Sequence, residues 1–149
     1  MKKFLLILLI TGFSITALAN KPRPYIKSGN KKIYCEKIID GVLKMKAYLP
    51  GDITPTIFQY SMVDAYFNNG KLYQKVSIQE ENINEAFMEV KEKRGSLSLV
   101  CYEDYSDMHL STDLTVKMPR KRLFLFDNSV FLCEVSQDVA EELCAYFSE

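Results

Sequence analysis

Short runs of alternating apolar and polar residues, separated by turn dipeptides, constrain this chain most. Met108, Leu110, Thr112, Leu114, Val116 and Met118 alternate with His109, Ser111, Asp113, Thr115 and Lys117. A period of two over that length predicts a strand with one wet face. Pro119 to Arg122 then reads as a turn. Upstream, two alternating stretches flank Asp40-Gly41, a dipeptide that favours a hairpin turn because both residues tolerate positive φ. Leu43, Met45, Ala47 and Leu49 share one face of the second stretch. Pro50-Gly51-Asp52 and Thr54-Pro55 break the pattern before a second hairpin, Thr56 to Phe67 with Lys71 to Ile78, which turns at Asn68-Asn69-Gly70. Leu97, Leu99 and Cys101 predict a strand, and Leu123 to Phe126 with Val130 to Val135 a further hairpin about Asp127-Asn128.

Two segments follow a helical period instead. Asn82 stands three residues before Glu85 as a capping pair, Ile83, Ala86, Phe87 and Val90 form one stripe, and Lys91, Lys93 and Arg94 lead to Gly95. Ser136 caps a second helix, with Asp138 near its positive end and Val139, Ala140, Leu143, Cys144 and Phe147 on its inner face. Regular strand–helix alternation is missing, so a parallel sheet is disfavoured. The predicted class is α+β, a largely antiparallel sheet of hairpins packed by two helices.

The first nineteen residues carry an address. Lys2 and Lys3 precede an apolar stretch from Phe4 to Phe13, and Ala17-Leu18-Ala19 supplies an A-x-A cleavage site. Such a stretch is too short for a membrane span and has the layout of a secretory signal peptide of bacterial type, which predicts a periplasmic or secreted product. Residues 20–32, with Lys21, Pro22, Arg23, Pro24, Lys27, Lys31 and Lys32, read as an extended basic arm. Residues 33–149 are then a single domain.

All four cysteines, Cys35, Cys101, Cys133 and Cys144, fall after the cleavage point. An even count in an oxidising compartment predicts disulfides. Strand and helix placement favours Cys133 with Cys144 across a short connection, and Cys35 with Cys101. A zinc site needs paired cysteines or several histidines, and His109 is the sole histidine, so neither a metal nor another cofactor is expected.

The whole chain balances 19 basic against 19 acidic residues, and loss of Lys2 and Lys3 leaves a formal charge of −2. That balance gives no footprint for nucleic acid or an anionic membrane. Composition is ordinary for a folded domain, with 48% hydrophobic and 26% charged residues. Catalysis has little to work with: His109 would have to serve any Ser or Cys nucleophile as base, and Glu103, Asp104, Asp107 and Asp113 show neither calcium-loop spacing nor a defined carboxylate pair. The protein is therefore not expected to be an enzyme. Within Tyr102-Glu103-Asp104-Tyr105-Ser106-Asp107, three carboxylates interleave with two tyrosines. Tyrosine suits interfaces and carboxylates receive a partner's Arg or Lys, so Tyr102, Glu103, Asp104, Tyr105 and Asp107 are the candidate partner-binding residues. The function these features predict is that of an exported inhibitor or immunity protein occluding a hydrolase or delivered toxin. The alternative is a secreted factor that contacts a host or surface target through its basic arm. Exposed strand edges also allow two copies to pair as a homodimer.

Overall fold

The computed structural model describes residues 21–41, 44–111 and 114–148, with the backbone alone for 105–111 and 114–118. The expected signal peptide and its cleavage point lie outside these residues. Eleven strands and one helix follow in order: β1 Tyr25–Ser28, β2 Lys31–Tyr34, β3 Lys37–Ile39, β4 Lys44–Tyr48, β5 Thr56–Gln59, β6 Ala65–Asn68, β7 Lys71–Ile78, β8 Ile83–Arg94, β9 Leu97–Ser111, β10 Leu114–Asp127, β11 Val130–Val135 and α1 Gln137–Ser148. Every strand pair is antiparallel. Eight strands form one sheet in the order β11-β10-β9-β8-β7-β6-β1-β2, and β3-β4-β5 form another.

One register row crosses the whole large sheet: Ile33, Ile26, Tyr66, Tyr73, Glu89, Cys101, Leu123 and Val135 stand directly opposite one another from β2 to β11. Directly opposed residues share a face, so this row defines the face that the other layers cover. At the β1-β6-β7 end the small sheet lies on it, and Ile26 and Tyr66 pack with Cys35, Ile38, Met45, Ala47 and Val63. At the β9-β10-β11 end α1 lies on it, with Ala140 and Phe147 against Leu99, Cys101 and Leu123. The opposite face gathers Ile78, Ile83, Met88, Val100, Phe124 and Phe126, all from the sheet itself, with the half-buried Tyr102 and Phe131 packed against them.

The helix expected from Asn82 to Gly95 is strand β8 instead. Asn82 has φ 54 and closes the short 3-10 turn Gln79–Glu81, so it ends a turn and caps no helix. Along β8 the inward residues Ala86, Met88 and Val90 recur every second position, and ladders to β7 and β9 satisfy the backbone on both sides. Tertiary pairing has overridden helical propensity here. The fold is thus two antiparallel sheets with a single C-terminal helix, and the α+β expectation of two helices is corrected.

The expected turn at Pro119–Arg122 lies inside β10, and the long alternating run is split into two paired strands, with Ser111 opposite Leu114. Thr112 and Asp113 lie outside the described residues. β8 accompanies β9 only from Leu97 to Cys101, and β11 accompanies β10 only from Leu123 to Asp127. Beyond them β9 and β10 continue as a two-stranded ribbon with no third strand among the described residues. Part of the segment read as an arm is built into the sheet as the β1-β2 hairpin, which turns through Gly29 at φ 56.

No disulfide forms: Cys35, Cys101, Cys133 and Cys144 are all free thiols. Cys35 belongs to the core under the small sheet and Cys101 to the core under α1, which separates that expected pair. Cys133 is exposed on the edge strand, whereas Cys144 packs inward among Leu99, Cys101 and Leu123. Burial pushes the Cys35, Cys101 and Cys144 thiols above their ordinary pKa. They stay protonated and poorly nucleophilic at neutral pH. None of the described helices is long and apolar enough to cross a membrane.

Candidate functional site

Between the small sheet and α1 the covered face of the large sheet opens into a trough of about 690 Å³, a volume within the range of ligand sites. Its floor comes from β7, β8 and β9, through Lys71, Tyr73, Phe87, Glu89, Cys101 and Glu103. Its wall comes from Tyr66 and, on the small-sheet side, from Asp40, Gly41 and Tyr60. The register row explains why these groups meet: Tyr66, Tyr73, Glu89 and Cys101 are four consecutive members of it.

Wall and floor are aromatic where they meet. Tyr66 and Tyr73 stack with centroids 4.7 Å apart, and Phe87 meets Tyr66 edge-on at 5.2 Å and Tyr60 at 5.1 Å. Such pairs fix ring planes and leave faces and edges with opposite partial charge. Asp40 is tied to this wall by two phenols: Tyr66 Oη donates to Oδ2 at 2.7 Å, and Tyr60 Oη donates to Oδ1 while also meeting the Gly41 carbonyl. Burial first, and then the Asp40 carboxylate, push both phenols well above the ordinary tyrosine range. Gly41 is required by close approach, because a Cβ there would stand 2.8 Å from the Lys44 carbonyl oxygen.

Glu89 is the only charged member of the register row. Partial burial pushes its carboxyl up, but hydrogen bonds from Lys91 Nζ at 2.8 Å and Lys71 Nζ at 3.2 Å outweigh that and hold it below the usual glutamate value. Lys91 stands two residues along β8 from Glu89 and so on the same face, beside a bulge between Val90 and Glu92. Glu103 makes a surface pair with Lys121 at 3.5 Å. Asp40 differs from both, since no lysine or arginine stands within ion-pair distance of it among the described residues.

Of the residues selected from sequence, Tyr102 and Glu103 border the trough. Tyr102 also packs with the Phe124 cluster on the opposite face. Asp104 is exposed on β9 opposite Arg120, and Tyr105 and Asp107 occupy ribbon positions opposite Pro119 and Lys117. The side chains of Tyr105, Asp107 and His109 lie outside the described residues. The ribbon is charge-sorted by register, Glu103, Asp104 and Asp107 on β9 facing Lys121, Arg120 and Lys117 on β10. Sequence reasoning missed Asp40, Tyr60, Tyr66, Tyr73 and Glu89. Asp40 looked like a turn residue and the tyrosines like packing, and only the pairing order brings them together.

No group of three or more His, Cys, Asp or Glu with metal-holding geometry occurs among the described residues. The trough presents stacked aromatic faces, an oriented carboxylate and a net negative lining. Compared with known proteins, the chain matches no protein family, no curated protein and no solved structure.

Proposed function

We propose that the protein is an exported binding protein of periplasm or medium, an inhibitor or immunity protein that occludes a hydrolase or delivered toxin, with the trough as its contact. The observation that carries this reading is the trough itself, where four tyrosines and Phe87 meet three carboxylates. Interface energy concentrates on such preorganised aromatic anchors with a few polar groups among them. Two of these residues, Tyr102 and Glu103, carry the same chemistry toward the ribbon. Capture by the chain from Asn20 onward, out of periplasmic extract and culture medium, tests it. The expected result is a stoichiometric protein partner whose hydrolytic or toxic activity is lost in the complex; a partner that keeps full activity contradicts occlusion.

A second reading, a secreted factor binding a host or surface target, is favoured by one feature of the edge hairpin. Lys27 and Lys32 stand directly opposite each other, with Ser28 opposite Lys31. Like charges opposed across strands are unfavourable, and an acidic surface would relieve them. Lys27→Glu with Lys31→Glu separates the readings, since trough binding survives that change and hairpin binding does not.

A further inference from the structure

We infer that the group the trough receives is an arginine side chain of the protein partner, its guanidinium forked onto Asp40 and its plane laid against the tyrosine wall. The inference rests on the binding reading above and adds the chemistry of what is bound.

An ionised carboxylate offers about four lone-pair sites, two on each oxygen. Tyr60 takes one on Oδ1 and Tyr66 takes one on Oδ2. Among the described residues no other donor reaches Asp40, so each oxygen keeps an acceptor site on a carboxylate whose orientation the two phenols have already fixed. One open acceptor on each oxygen of a carboxylate is what a guanidinium fork takes. A lysine ammonium is a point donor and gains less from that geometry.

Charge points the same way. The trough is lined by Asp40, Glu89 and Glu103 against Lys71 alone. Glu89 already takes Lys71 and Lys91, and Glu103 takes Lys121, whereas both donors on Asp40 are neutral phenols. An incoming cation therefore meets Asp40 without displacing an existing ion pair. The half-buried Tyr60, Tyr73 and Phe87 rings beside it supply the polarisable surface over which a guanidinium plane is attracted.

The protein pairs a forked arginine with a carboxylate beside an aromatic ring elsewhere, where Arg122 is also shared with Glu81. Arg122 Nε and one terminal nitrogen fork onto Glu134 at 3.0 and 2.7 Å, and its guanidinium carbon stands 5.0 Å from the Phe124 ring centre. Arg94 likewise lies 4.3 Å from the centre of Tyr146. At Asp40 the acceptor and aromatic halves are present on a concave surface open to a partner.

The test needs no identified partner, so its failure is distinct from failure of the capture experiment. A blocked Gly-Arg-Gly peptide is titrated into the protein and followed by backbone NMR shifts, beside the same peptide with neutral citrulline in place of arginine and beside spermidine. Shifts are expected at Gly41, Tyr60 and Tyr73, with the citrulline peptide weaker by roughly tenfold or more, as for loss of a charge-assisted pair. Asp40→Asn is expected to lose a similar factor. The comparison of the two peptides keeps the test valid even where that variant folds poorly. Equal binding of arginine and citrulline, shifts confined to other surfaces, or spermidine binding as tightly as the arginine peptide each overturns the inference.

Discussion

Tyr66 on β6 donates its hydroxyl to Asp40 at 2.7 Å, joining the large sheet to the loop between β3 and β4 of the small one. The bond lies where the two sheets form the trough wall, so it serves cohesion and site geometry together. Tyr66→Phe keeps the ring stack on Tyr73 and removes this donor. Chemical denaturation is expected to show a loss of about 2 kcal/mol, the ordinary worth of a hydrogen bond to a charged acceptor. A loss of several kcal/mol would mean that the hydroxyl organises more than Asp40.

Alkaline titration reads the same pair of phenols. Both Tyr60 and Tyr66 hold their protons above the usual tyrosine range in the folded protein, because burial and the Asp40 carboxylate disfavour the phenolate. Unfolded tyrosine ionises near pH ~10. The folded state therefore binds more protons above that point, and stability, fully present below pH ~10, falls as pH rises further. Ultraviolet titration is expected to show Tyr60 and Tyr66 resisting ionisation until the protein unfolds, with Tyr73, also pushed up by burial, ionising late. In Asp40→Asn they should ionise at lower pH.

Acid acts through two lowered carboxyls, that of Glu134 beside Arg122 and that of Glu89. The Glu89 carboxyl sits below the ordinary value, so its contribution is present above the unfolded glutamate pKa of about 4.3 and is lost as pH falls through the folded value. Glu89→Gln should cost on the order of 1 kcal/mol at neutral pH and flatten the acid limb of the stability profile. An unchanged acid limb in that variant would exclude the Lys71–Glu89–Lys91 cluster as its cause.

The thiols make a separate prediction. Cys133 is exposed, while Cys35 and Cys101 are buried with thiols pushed up by burial. A water-soluble thiol reagent should modify Cys133 quickly in the native state and reach Cys35 and Cys101 only on unfolding. Mass spectrometry of the purified protein should count four free thiols, and a count of two or none would contradict the structure.

Turns and several strands were readable from sequence because their signals are local. Asn69-Gly70 and Asn128-Ser129 all carry positive φ at hairpin turns, and the last helix buries Ala140 and Phe147 on the expected face. Val139, expected on that inner face, is exposed. β8 was misread because Ile83, Ala86, Phe87 and Val90 fit a helical stripe while Ala86, Met88 and Val90 fit a strand, and neighbouring strands decided between them. The trough was hidden for a related reason. Asp40, Tyr66, Tyr73 and Glu89 are separated along the chain, and their meeting depends on the β6-β7-β8-β9 pairing order, which no local pattern encodes.

The central claim is that the trough is the working surface, and charge reversal within it tests that most directly. Capture of a partner by the chain from Asn20 onward should be abolished by Asp40→Lys, with the fold confirmed by circular dichroism, and should survive Lys27→Glu with Lys31→Glu on the edge hairpin. Undiminished capture by a folded Asp40→Lys protein would contradict the account.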